Sequence, residues 1–138
     1  MFDELEKYKN KGHFFFQKGS MLKEVSKDVP NLPGIYYIYR LCRGKIDLVY
    51  IGKSGTMLSN GKFKDQLLNK RLNNKQDGIL RQKFFEQKLM EEVSDALDIY
   101  WYVTFDEENQ DIPSYVEGLL LQHYFEIYGR LPEWNKEY

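Results

Sequence analysis

The amino-acid sequence predicts an α+β fold in which helices flank a small, mostly antiparallel sheet of three strands. Three observations carry this prediction. Two strand-like runs surround a short turn, a third run alternates apolar and polar residues, and three segments have helical spacing. The predicted order is β-β-α-α-β-α. The chain of 138 residues has the usual length of one domain, which we place at residues 32–138 after an N-terminal arm at residues 1–31.

The predicted arm and hairpin occupy the first part of the chain. Residues 2–10 have weak helical spacing, and residues 13–32 are expected to be irregular. Tyr and Ile dominate residues 34–41, which favours a strand because β-branched and aromatic side chains pack well in sheets. A turn containing Gly44 follows, and residues 46–52 form the second strand of a hairpin.

The remaining elements alternate between helices and one more strand. A loop rich in Gly, Ser and Asn leads from the hairpin into the helical part of the chain. The spacing predicts helices at residues 63–74 and 79–93, separated by Asp77-Gly78. Residues 97–105 alternate and predict the third strand. After an acidic loop, an apolar helix is predicted at residues 113–128 and ends at a glycine.

Charge is distributed unevenly, although the formal net charge is only −1. Residues 34–88 carry twelve Lys and Arg against four acidic residues, a local net charge of +8. Residues 89–138 carry two basic residues against twelve acidic ones, a local net charge of −10. A basic stretch of this kind is typical of a surface that binds a polyanion, and equally of a solvated helix face. The low overall charge therefore does not exclude a nucleic-acid partner.

Other features indicate the cellular setting. The single Cys42 excludes an intramolecular disulfide and suits a reducing compartment. The first residues lack the basic and apolar regions of a signal peptide. No apolar run approaches the roughly 18–20 residues that span a bilayer. We therefore expect a cytoplasmic protein with no membrane partner.

Two tyrosines of the hairpin, Tyr36 and Tyr50, are candidate site residues. An odd number of loop residues places them on one face of the hairpin, and an even number separates them. Packing alone also explains either tyrosine, because tyrosine is common in half-buried strands. Lys53 follows the second strand in Gly52-Lys53-Ser54-Gly55, where a lysine can reach phosphate. The glycine spacing is not that of a Walker A loop.

Arg71 lies within the apolar stripe of its predicted helix, about 40° from Leu67. Lys75 follows one turn later on the same face, at about 80°. A charged group in this position requires a partner, because burying an unpaired charge is unfavourable. Arg71 therefore either binds an anionic ligand or reaches solvent or a carboxylate of the protein itself.

Glu117 is the acidic counterpart in the last helix. It lies about 100° from Val116, within the stripe that Leu120 and Tyr124 form. A structural explanation also exists, since Ser114-x-x-Glu117 fits a capping box, in which the glutamate bonds back to the N-cap amide. Capping and a functional role both fit this residue.

Taken together, these positions resemble the signature of the GIY-YIG nuclease superfamily. The matching landmarks, in chain order, are Gly34-Ile35-Tyr36, Tyr50-Ile51-Gly52 with Lys53-Ser54, Arg71, Glu117 and Asn135. The resemblance spans about residues 32–136. The segment between the two tyrosines is longer than usual for the family, so a bulge or an extended turn is expected. The familiar helical histidine is absent, and Lys75 occupies a position where some members carry it.

The resemblance implies hydrolysis of a phosphodiester bond in DNA with one divalent ion, Mg²⁺ or Mn²⁺. Glu117 would hold the metal as a hard oxygen ligand, and Lys53, Arg71 and Lys75 would bind the nucleic acid. Tyr36 is expected to act as the base and Tyr50 to position the water. A cation must then lower the pKa of tyrosine from about 10. Asn135 would steady the site by hydrogen bonding.

The residues leave two other hypotheses open. One is a nucleic-acid-binding domain that has the nuclease fold but no turnover. The other is an α+β interaction domain whose aromatic residues simply form the core. The expected DNA partner is duplex or branched. Because no separate DNA-reading module is visible, specificity would come from the N-terminal arm, a homodimer or a recruiting protein.

Overall fold

The computed structural model describes residues 2–64 and 67–138 of the chain. Its strands are β1 (Lys11–Phe16), β2 (Gly34–Cys42), β3 (Lys45–Ser54), β4 (Lys75–Gln76), β5 (Ile79–Leu80) and β6 (Ala96–Val103). Its α-helices are α1 (Leu22–Val25), α2 (Leu68–Leu72), α3 (Arg81–Glu91) and α4 (Pro113–Tyr128), and a 3₁₀ turn spans Asp3–Leu5. The main sheet is antiparallel in the order β1-β6-β2-β3, and β4 and β5 form a separate pair. The predicted α+β class is confirmed.

The predicted number of three strands in the main sheet is wrong, because β1 adds a fourth. This strand lies in residues that we expected to be irregular, and it pairs with β6, with His13 opposite Tyr100. Phe14, Phe15 and Phe16 are consecutive, so β1 shows no alternation of apolar and polar side chains. Its partner strand also lies far along the chain, which leaves no local hairpin signal in the sequence.

The hairpin of β2 and β3 has a two-residue turn, Arg43 and Gly44, both with positive φ (51° and 78°). This turn is tight and matches the twist of the strands. Its even length would place Tyr36 and Tyr50 on opposite faces. A β-bulge reverses this outcome, because Ile38 pairs with Tyr50 while the next residue pairs with Leu48. The expected irregularity between the two tyrosines is therefore a bulge at Val49.

The helix predicted at residues 63–74 is wrong in extent. Only Leu68–Leu72 is helical in the described part of this segment, and Phe63 forms an antiparallel bridge with Met57. Residues 65 and 66 lie outside the described residues. Lys75 does not share a helix face with Arg71, because it lies in β4. Asp77 and Gly78 have positive φ and form the tight turn between β4 and β5.

The later elements agree closely with the predictions. The second predicted helix begins and ends two residues inside its predicted bounds, as α3, and the third predicted strand is β6. The apolar helix is α4 as predicted, and Gly129 ends it in the left-handed conformation, with φ of 71°. Within residues 2–64 and 67–138, no helix combines the length and apolar character needed to cross a membrane.

Helices cover both faces of the main sheet. On one face, Ile35 and Ile51 pack with Val116 and Leu120 of α4. The N-terminal residues Phe2, Leu5 and Tyr8 are buried in the same core, so the expected arm packs on the sheet. The other face holds Tyr36, Ile38 and residues of α2 and α3 in a second core. The edge strand β3 thus ends between α2 on one side and the start of α4 on the other.

Candidate active site

A polar cavity of about 480 Å³ lies at the carboxyl end of β3. Its lining residues are Tyr50, Lys53, Gly55, Thr56, Arg71, Asn74 and Glu117. Four residues that the sequence predicted for catalysis therefore meet in one place, although they come from β3, α2 and α4. Lys75, predicted to bind nucleic acid, is exposed next to Asn74 and does not line the cavity.

Tyr50 and Tyr36 lie on the same face of the hairpin, with their ring centroids 5.9 Å apart. They differ in access to the cavity. Tyr36 is fully buried, whereas Tyr50 lines the cavity. Between these two tyrosines, Tyr50 is the one whose hydroxyl a substrate in the cavity can reach.

The charge on the Tyr36 hydroxyl affects how readily the Tyr50 hydroxyl ionises. The pKa of Tyr50 is raised above its usual value, first by the charge that Tyr36 carries when ionised and then by burial. Arg81 and Arg71 act in the opposite direction, because their positive charges favour the phenolate. The pair therefore gives up one proton much more readily than two.

Glu117 enters the cavity from the first part of α4. The capping-box interpretation is wrong, because the N-cap residue is Ile112 and no side chain caps the helix. Ser114 is instead the second helical residue, so it cannot act as an N-cap. Burial raises the pKa of the Glu117 carboxyl, and Lys53 and Arg71 partly oppose this shift. The carboxylate is thus available for a ligand rather than engaged in closing the helix end.

Lys53 and Arg71 line the same cavity as Glu117, and both lie close enough to lower the pKa of its carboxyl. In the part of the chain that the structure describes, no ion pair within 4 Å joins either cation to this carboxylate. The alternative that Arg71 is neutralised by a carboxylate of the protein is therefore not realised among these residues. A cavity lined by two cations and a carboxylate can hold an anion and a cation together.

The donor set fits one hard divalent ion. Among the described residues, no group of three or more His, Cys, Asp or Glu side chains is placed to hold a metal. Of the described residues that line the cavity, only Glu117 offers carboxylate oxygens, which suit Mg²⁺ or Mn²⁺. Magnesium usually keeps several waters and takes only one or two carboxylates together with substrate phosphate oxygens, so a single glutamate is compatible with it.

Asn135 lies outside the cavity and pairs with the free edge of β3. Its Nδ2 donates to the Ile51 carbonyl at 2.9 Å, and its Oδ1 accepts from the Ile51 amide at 3.0 Å. The neighbouring Trp134 amide donates to the carbonyl of the bulged Val49 at 2.8 Å. The C-terminal tail thus holds the edge strand on both sides of Tyr50.

Arg81 was not predicted from the sequence. Its side chain is fully buried, and its Nη2 donates to the Tyr36 hydroxyl at 2.7 Å. Its guanidinium carbon lies 5.3 Å from the Tyr36 ring centroid and 5.9 Å from that of Tyr50. One sequence signal could have indicated that Arg81 is buried. Phe84 and Phe85 follow it by three and four residues, which places all three side chains on the same face of the helix.

Comparison of the chain with protein-family models, with curated proteins and with solved structures finds no significant match. The resemblance to the GIY-YIG superfamily therefore rests on the residues themselves, and the functional argument rests on the cavity.

Proposed function

We propose that this protein is a metal-dependent DNA endonuclease that hydrolyses a phosphodiester bond with an activated water. One observation carries the proposal. Tyr50, Lys53, Arg71 and Glu117 line a single polar cavity although they are distant in sequence. A phosphodiester is anionic, so its hydrolysis needs cations at the phosphoryl oxygens and a group that takes a proton from water.

The side chains divide these tasks. Lys53 and Arg71 bind the non-bridging oxygens, and the flat guanidinium of Arg71 can form two hydrogen bonds to one phosphate. Glu117 would hold the divalent ion, which supplies positive charge at the phosphate and lowers the pKa of the attacking water. Tyr50 replaces Tyr36 as the residue that receives the proton, because only Tyr50 lines the cavity.

The surroundings of the cavity favour an extended polyanion over a small phosphate ester. Lys62, Lys64, Lys70 and Lys75 are exposed in the segments that contribute its lining. The Lys64 amide donates to the carbonyl of Thr56, a lining residue, at 3.0 Å. These lysines can follow a nucleic-acid backbone on either side of the scissile phosphate and would make binding sensitive to salt.

The test is nicking of supercoiled plasmid, and of duplex, flap and branched DNA, with Mg²⁺ or Mn²⁺. We expect cleavage by the wild type and a loss of about a hundredfold or more in Glu117→Gln and Arg71→Met. Arg43→Met is the matched control for Arg71, because Arg43 is exposed in the hairpin turn at the opposite end of β3. Cleavage that persists in Glu117→Gln would exclude the metal role. Binding without any cleavage would favour a non-catalytic nucleic-acid-binding domain.

A further inference from the structure

Arg81 is a charged side chain that lies entirely inside the core. Among the described residues, its one side-chain hydrogen bond runs from Nη2 to the Tyr36 hydroxyl, and its Nε and Nη1 have no partner. No ion pair within 4 Å joins it to a carboxylate of these residues. A guanidinium keeps its proton in proteins, and a buried charge without a countercharge is unfavourable.

The fold compensates this charge only in part. The guanidinium carbon lies 5.3 Å from the ring centroid of Tyr36 and 5.9 Å from that of Tyr50, so the two rings attract it weakly. Arg81 is also the first residue of α3, where the partial positive charge of the helix end disfavours a cation. The core therefore contains a positive charge that no described carboxylate neutralises.

Two observations connect this charge with the cavity. The Arg81 amide donates to the carbonyl of Asn74, a lining residue, at 2.8 Å. Although the neighbouring tyrosine and burial raise the pKa of Tyr50, Arg81 and Arg71 act against this rise. The positive charge of Arg81 is therefore felt at a hydroxyl that a substrate in the cavity can reach.

We propose that Arg81 is a positioning residue for the anionic substrate, whose buried charge attracts a phosphate group into the cavity beside Tyr50 without touching it. Lys53 and Arg71 bind the phosphate directly, whereas Arg81 acts through space from the core. The phosphate supplies the countercharge that the fold lacks, and the low dielectric constant of the core strengthens the attraction. The inference rests on the proposed function only in taking a phosphate group as the ligand.

Binding of inorganic phosphate to the full chain, without divalent ions, tests this inference without requiring cleavage. The NMR signal of the Gly55 amide reports occupancy, because Gly55 lines the cavity, and chloride at equal ionic strength is the reference. We expect saturable binding by the wild type. Arg81→Met should bind about tenfold more weakly, as expected for a unit charge acting over about 10 Å at an effective dielectric constant of about 20.

Two further variants separate charge from packing. Arg81→Gln differs from Arg81→Met in shape and polarity but also removes the charge, so both should weaken phosphate binding to the same extent. Lys83→Met is the control for net charge, because Lys83 is exposed on the same helix, with a side chain 72% accessible. It should bind phosphate as the wild type does. In all three variants, the phosphate-free Gly55 signal should stay close to its position in the wild type.

The inference is overturned if the wild type binds no phosphate at Gly55, or if Arg81→Met and Arg81→Gln bind it as the wild type does. Weaker binding in only one of them, or a displaced Gly55 signal before phosphate is added, would assign Arg81 a structural role instead. If one variant does not fold, the other decides. Failure of both to fold would show that the core itself requires the charge, which also contradicts the inference.

Cleavage separates this inference from the proposed function. In an active enzyme, Arg81→Met and Arg81→Gln should lower kcat/KM for DNA by about tenfold, and Lys83→Met should leave it unchanged. The expected phosphate binding in a chain that cleaves no DNA with Mg²⁺ or Mn²⁺ would retain the role of Arg81 and reject the nuclease. Cleavage by a chain whose Arg81 variants bind phosphate as the wild type does would reject the inference and retain the nuclease.

Discussion

Tyr36 lies directly opposite Gly52 in the antiparallel pairing of β2 and β3, and the end of its ring occupies the space that a Cβ at position 52 would need. That Cβ would be 2.6 Å from both the Cζ and the hydroxyl oxygen of Tyr36 and 2.8 Å from Cε2 of Tyr50. Glycine is thus required here for space. The rings of both tyrosines pack against β3 at Gly52, where the absence of a side chain leaves room for them.

Gly52→Ala should therefore displace both tyrosine rings. We expect a loss of about 1–3 kcal/mol in the free energy of unfolding, as for other overpacked cores, measured by urea denaturation. Cleavage should fall by about a hundredfold, because small displacements of a reacting group have effects of this size. Gly19→Ala is the control, since no atom lies within 4 Å of its added Cβ and only its positive φ opposes the change. Because the positive φ of Gly19 also costs stability, cleavage is the readout that separates the two variants, and an equal loss of cleavage in both would contradict the steric explanation.

The relation of Tyr36 to Tyr50 shows what the sequence predicts and what it leaves undetermined. The strands and the turn could be predicted from Tyr, Ile and Gly content alone. Whether the tyrosines share a face depends on one residue of register, and the two-residue turn taken alone gives the wrong answer. The bulge at Val49 corrects it. The unusual length of the segment between the two tyrosines indicated an irregularity, but it did not show that the irregularity is a bulge.

Prediction of the candidate site from the sequence was incomplete in the same way. Arg71 and Glu117 could be singled out because each is a charged residue within an apolar helical pattern. Both residues line the cavity, but two of the interpretations attached to them were wrong, since α2 is too short to carry Lys75 and Ser114 does not cap α4. Arg81 was missed because its partner, Tyr36, is far away in sequence. Such a contact exists only after the sheet and α3 have packed.

A second prediction concerns Glu117 and pH. Its pKa is raised in the folded state, so the folded state binds more protons than the unfolded state as this carboxyl titrates. The charged carboxylate therefore destabilises the fold at neutral pH, and this penalty disappears as the pH falls below the ordinary range of glutamate. Glu117→Gln should raise the free energy of unfolding at neutral pH, and its advantage over the wild type should vanish in acid. Denaturation with urea across this pH range measures both effects.

Glu126→Gln is the control for this substitution, because Glu126 is exposed on the same helix. It should leave stability nearly unchanged at every pH. Adding Mg²⁺ should raise the melting temperature of the wild type and not that of Glu117→Gln, since a ligand that binds only the folded state stabilises it. Destabilisation by Glu117→Gln without metal would show that the carboxylate makes a favourable contact in the fold.

A third prediction separates phosphate binding from general charge. Arg71→Met should weaken binding of short duplex DNA and reduce the slope of log affinity against log salt by about one, the effect of one lost phosphate contact. Arg43→Met changes the net charge equally but removes a cation at the far end of the hairpin, so its slope should stay close to that of the wild type. Fluorescence anisotropy over a range of salt concentrations measures both slopes. Indistinguishable slopes for the two variants would remove Arg71 from the phosphate site.

The last prediction concerns the edge of β3. Asn135 satisfies both the amide and the carbonyl of Ile51, and Trp134 bonds to Val49, so the tail acts as a short additional strand beside the bulge. Asn135→Ala should cost about 1–3 kcal/mol of stability, because two backbone groups lose their partners. Exchange of the Ile51 amide hydrogen should become faster. Asn10→Ala, at an exposed asparagine, should change neither quantity.

Because Tyr50 lies between the two anchored residues, Val49 and Ile51, its position depends on this edge of β3. We therefore expect Asn135→Ala to lower kcat more than it weakens DNA binding, and unchanged protection of Ile51 would assign the anchoring of the bulge to Trp134 alone.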